Sequence, residues 1–153
     1  MTSNFQFLEQ EFKTFFDRAI KAEKLVITDP RTSLIYARMA LESGINWIYA
    51  NDAALELPYD TSIHSLLVQP EFKAIINHKL YSDLFTLKTL GNLATHNNAV
   101  NDIDSHHAIE YLFYFAKWFA KTYGNDTFQD PGIFNFNDIP KQEDGGLTKA
   151  QVK

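Results

Sequence analysis

A chain of 153 residues has room for one domain with a real core and too little for two. A formal charge of −5 argues against a free-standing binder of phosphate backbones, and the absence of cysteine excludes disulfides and cysteine-based zinc sites. Thirteen Phe and seven Tyr must be packed somewhere, whereas five Pro and six Gly fall mostly outside the apolar-patterned stretches.

The first segment pairs Ser3 with Gln6 as a capping box, followed by Phe5, Leu8, Phe12, Phe15, Phe16, Ala19 and Ile20 at helical spacing. This pattern predicts one helix from about Ser3, ending between Ala22 and Thr28. It lacks the basic and then apolar regions of a signal peptide, and no segment reaches the roughly 18 consecutive apolar residues of a membrane span, so a cytoplasmic protein without membrane contact is expected.

Asp29-Pro30 opens a second helix, with Asp as N-cap and Pro at the first helical position. That helix runs to about Asn51, with Leu34, Ala37, Leu41, Ile45 and Ile48 on its apolar face. After the connector Leu57-Pro58-Tyr59-Asp60, a short helix starts at Asp60 or Thr61, and another opens at Pro70. A long helix then covers Asn77 to His96, broken by Asn97, Asn98, Asn101 and Asp102. The last long helix starts near Asp104 or Ser105 and stops at Tyr123-Gly124. Its core stripe is Ile109, Leu112, Phe113, Ala116, Ala120 and Tyr123, while Tyr111, Tyr114, Phe115 and Trp118 make it apolar nearly all round. Such a helix is either central to the bundle or a candidate interface with a partner.

The fold expected is all-α: an antiparallel helical bundle over residues 1–124, with short helices inserted between the second and third long helices. Residues 125–153 read as a Phe-containing extension and linker, with Leu147–Lys153 as the first turns of a helix leading toward further domains.

Walker, GxGxxG, HExxH and GxSxG motifs are all missing. His106 and His107 point to different sides of a helix, so no metal site is expected. The more informative groups are polar residues near apolar stripes. Arg38 sits within the stripe of Leu34, Leu41 and Ile45, with Glu42 at its edge, and a charge there needs a partner or a path for its head to water. Lys88, Asn92 and His96 form a line spaced by four, beside Gly91, whose missing side chain allows close helix packing. Together these residues form a polar seam between two helices, which either fixes their register or lines a functional groove. Lys73, Lys79, Lys88, Lys117 and Lys121 are either a nucleic-acid contact or ordinary solvated positions.

Four elements taken together, Ser3-Asn4-Phe5-Gln6-Phe7-Leu8, Arg38-Met39 with Glu42, Leu90-Gly91-Asn92 with His96, and Ala116-Lys117-Trp118-Phe119, resemble the N-terminal helical module of the restriction (R) subunit of type I restriction-modification enzymes. The resemblance spans Ser3 to Gly124. The Gly-Asn-x-x-x-His pattern is also similar to helical domains related to the HEPN superfamily. The resemblance implies a non-catalytic interaction module, with no cofactor of its own, inside a parent that uses ATP and Mg to translocate and cleave DNA. Its implied partners are the remainder of the R subunit, the modification and specificity subunits and, through the parent, DNA. Catalytic HEPN ribonucleases place an Arg a few residues before the His on one helix. Here no Arg follows Arg38, which weighs against His96 as the catalytic residue of a ribonuclease, the alternative reading.

Overall fold

The computed structural model describes residues 2–141 and, among them, contains helices and no strand. Six α-helices follow in order: α1 (Lys13–Lys24), α2 (Pro30–Asn51), α3 (Ile63–Leu67), α4 (Pro70–Ala74), α5 (His78–Thr95) and α6 (Asp102–Tyr123). The all-α bundle with two short helices between the second and third long ones is the architecture expected. The helical start at Leu147 lies outside the described residues.

Local chemistry explains most boundaries. Asp29 accepts a hydrogen bond from the Thr32 N–H at 3.2 Å and Pro30 takes the first helical position, which starts α2. Ser62, slightly later than expected, caps α3, and Asn77 caps α5 by accepting from the Leu80 N–H at 2.8 Å. Asn97 ends α5 in the left-handed region, at φ 62°, a conformation that Asn tolerates.

Two expectations are corrected. The first helix is not continuous: a 3-10 turn at Gln6–Leu8 precedes α1, and the Ser3–Gln6 capping box does not form. Ser3 Oγ instead donates to Glu23 Oε1 at 2.6 Å. On one unbroken helix these residues would stand about 30 Å apart, so the chain must fold back between them. The last long helix begins two to three residues early, because Asn101 and Asp104 form a reciprocal capping box at its start.

α2 occupies the centre and contacts α1, α5 and α6. Ser33 reaches the Ala22 carbonyl while Arg18 reaches Ser43, so α1 runs antiparallel to α2. Arg31 reaches Ala94 and Arg38 reaches Asn92, so α5 is antiparallel as well. Trp47 meets Phe119 and Asp52 meets Tyr123, which makes α6 parallel to α2. The short helices close the C-terminal end of α2, where Tyr49 donates to the Leu66 carbonyl at 2.6 Å. Burial there pushes the Tyr49 hydroxyl up to about 12.

Phe119 is the hub of the core. Its buried ring lies 4.7 Å from Phe12, 5.2 Å from Trp47 and 5.3 Å from Phe15, each edge-on. Removing it leaves a void that three rings cannot fill. Phe119→Ala should therefore lower unfolding free energy by about 3–5 kcal/mol in urea titrations. Tyr59→Ala, at a fully exposed loop position, should stay within about 0.5 kcal/mol of the parent.

Candidate functional site

The α2–α5 seam brings Arg38, Glu42 and Asn92 together over Gly91. Arg38 Nε donates to Glu42 Oε2 at 3.3 Å, and a guanidinium Nη donates to Asn92 Oδ1. A Cβ on Gly91 would stand 2.7 Å from the Arg38 Cβ, so the Arg38 stem lies directly on the glycine. The ion pair remains a quarter to a third exposed, which limits its worth to about 1 kcal/mol or less. Close backbone approach, more than charge, locks this seam.

The other two members of the polar line lie apart from this contact. Lys88 turns toward α3, where its Nζ is 3.0 Å from His64 Nδ1 and 5.3 Å from the Phe85 ring centre. His96 is the exposed C-cap of α5, and its side chain makes no hydrogen bond or ion pair among the described residues. Its neighbourhood is held by Arg31, whose guanidinium donates to the Ala94 and Asn98 carbonyls. Arg31 was not singled out from the sequence, although a signal existed. A cation in the first turn of α2 opposes that helix's own dipole, and it is better placed on the C-terminal carbonyls of a neighbouring helix.

On α6, Phe115 is fully buried against Phe15 and Phe119 and belongs to the core. Tyr111, Tyr114 and Trp118 are half-buried. Tyr111 stacks on His107 beside the Lys79 ammonium, and Trp118 packs between Phe115 and Tyr123. The Tyr114 side is covered from within the chain: residues after Gly124 return across α6 and bury Phe134 and Ile139. The Phe134 N–H donates to Tyr114 Oη at 3.2 Å, and Lys117 Nζ donates to the Gly132 carbonyl and pairs with Asp130 at 3.0 Å. Among the other lysines considered for nucleic acid, Lys79 pairs with Asp83 and Lys73 lies over Tyr81, while Lys121 is exposed.

A second polar node was not identified from the sequence. Glu23 is only 3% exposed and accepts from Ser3 Oγ, the Asn4 N–H at 3.0 Å and Asn4 Nδ2 at 2.8 Å. Burial raises its pKa, and the negative charge of Asp138 adds to the rise, while the hydrogen bonds from Ser3 and Asn4 oppose it. The signal was a carboxylate in register with Phe16 and Ala19 on the apolar face of α1.

A cleft of about 720 Å³ lies between residues 3–12 and residues 125–131. Its charged lining residues, Glu9, Glu11 and Asp130, are all acidic, which disfavours a phosphate-bearing ligand. A smaller groove of about 470 Å³ lies between α1 and α2, beside Arg18 and Trp47. Neither is lined by Arg38 or His96. Among the described residues no three His, Asp or Glu side chains could hold a metal ion together, and no helix is long and apolar enough to cross a membrane. Comparison with protein-family models, curated proteins and solved structures finds no match.

Two measurements check these assignments. In Gly91→Ala the new methyl meets a backbone-attached carbon, so a loss of about 1–3 kcal/mol should outweigh the helix-propensity gain of about 1 kcal/mol. Glu42→Gln, at the partly exposed end of the seam, should cost less than about 1 kcal/mol. The second concerns pH. A carboxyl whose pKa is raised on folding contributes stability below its unfolded value of about 4.3 and loses it as pH rises through the native value. The unfolding free energy of the parent minus that of Glu23→Gln should therefore fall as pH rises from about 4 through the raised native value. A pH-independent difference would contradict the assignment.

Proposed function

We propose that this chain is a non-catalytic helical interaction module of the kind that stands at the N-terminus of the R subunit of type I restriction-modification enzymes. The observation that carries this reading is the seam itself. Arg38 and Glu42 come from one element of the resemblance, Gly91 and Asn92 from another, and they meet in one contact between α2 and α5. Motif residues distant in sequence thus share one structural task, which supports reading them as the frame of a module. In this frame the Arg38 guanidinium is committed to Glu42 and Asn92 instead of being presented to a substrate.

On this reading ATP and Mg belong to the parent, which translocates and cleaves foreign DNA in the cytoplasm. The partners are the rest of the R subunit and the modification and specificity subunits, and DNA is reached through the assembly. Kinship with HEPN-type domains belongs to the same proposal. The half-buried Tyr111 and Trp118 of α6 are the aromatic positions available to a partner surface.

The test is reconstitution. A type I R subunit lacking its corresponding helical module, mixed with modification and specificity subunits, should retain this chain on size exclusion and recover restriction of unmodified DNA. The ribonuclease alternative makes the opposite forecast: RNA cleavage by the isolated chain that disappears in His96→Ala. Cleavage of that kind, without co-elution, would overturn the docking reading.

A further inference from the structure

The two ends of the described chain meet on one side of α6. The arm, residues 2–8, has a single 3-10 turn, and the strap, residues 125–139, has another at Phe136–Asp138. Neither segment is a structure that could support itself. Each buries aromatic rings against the same residue: Phe113 has Phe5 at 6.1 Å and Phe7 at 6.0 Å from the arm, and Phe134 at 5.5 Å from the strap. Phe7 also meets Phe128 of the strap directly, at 6.3 Å.

The polar contacts repeat this dependence. Asn4 Oδ1 accepts from the Asn135 N–H at 2.7 Å, and Asn4 Nδ2 donates to the Asn135 carbonyl at 2.9 Å and to the buried Glu23. One carboxamide therefore pairs with both main-chain groups of a strap residue while anchoring on α1. An aspartate could not donate, and serine or alanine could not span the three partners. Thr2 Oγ1 donates to Asp138 at 2.9 Å, and at the strap's other end the Asn125 N–H donates to Glu11 at 2.9 Å. Between these ties the strap arches over the 720 Å³ cleft, and it is held to the bundle through Lys117, Tyr114 and the buried Phe134 ring.

We propose that arm and strap are one latch, joined through the Asn4 carboxamide, which opens as a single cooperative unit below the opening energy of the bundle. Loss of either half removes ring contacts and main-chain partners from the other, the condition for joint opening. An open latch uncovers Phe113, which is 1% exposed when it is closed, and frees the Tyr114 side of α6. This inference does not rest on the proposed relation to restriction enzymes.

Hydrogen exchange followed by mass spectrometry along a urea titration tests it on the full chain. Peptides from residues 2–8 and 125–139 should share one opening free energy and one urea dependence, both below those of α2. Separate dependences for the two segments overturn the latch. Asn4→Ala should accelerate exchange in both segments by about ten-fold or more and leave the α2–α5 seam unchanged. Acceleration confined to residues 2–8 also overturns it. Phe134→Leu probes the coupling from the other side and should accelerate exchange at residues 2–8, and an unchanged arm refutes the proposal. Should Asn4→Ala fail to fold, the parent urea series and Phe134→Leu decide the matter.

Discussion

α2 must pack against three long helices at once, and two glycines set how closely it can do so. At Gly44 a Cβ would fall 2.7 Å from the Phe115 ring and 3.0 Å from the Phe15 ring, so bare backbone is the surface on which α1 and α6 deliver their aromatics. At Gly91 the roles reverse, and α5 offers the bare backbone to the Arg38 stem of α2. Each glycine costs its helix about 1 kcal/mol relative to alanine. The close packing gained offsets this, because dispersion between well-seated atoms falls steeply when even a small gap opens. With these two approaches in place, α2 can be central without swelling the core.

The aromatic content follows from this geometry. Rings from α1, α2 and α6 converge edge-on around Phe119, and the arm and strap repeat the arrangement on a smaller scale around Phe113. A helix apolar on nearly every side needs cover on every side. Here much of that cover for α6 comes from its own chain: α1, α2 and α5, the arm and the strap.

The two polar nodes differ in how they meet the cost of leaving water. Arg38 and Glu42 stay partly solvated, so their attraction is screened and the contact between them defines register more than it adds stability. Glu23 is buried, and hydrogen-bond donors from Ser3 and Asn4 replace its water. Its proton is held more tightly in the folded state, which makes the arm's anchor a pH-sensitive part of the molecule.

Local chemistry determined the α2 start at Asp29-Pro30, the short helix opening at Pro70, the end of α5 at the asparagines and the stop at Tyr123. The first three are decided by a cap, a ring or a left-handed residue within a few positions of the boundary; at the fourth, Gly124 is extended, where a Cβ would meet the Ala120 carbonyl at 2.4 Å. Periodicity likewise marked Arg38 and Gly91 as unusual on their faces, so part of the seam was legible before any coordinates. Tertiary structure alone decided that the first helix breaks after Leu8, that Lys88 turns to His64, that Phe115 lies in the core, and that Asn4 spans Glu23 and Asn135. The physical reason is one of range. Caps and stripes are short-range preferences worth about 1 kcal/mol each. A buried carboxylate that must recruit donors from nineteen residues away, and a carboxamide that pairs with the far end of the chain, override them through contacts that no local window contains.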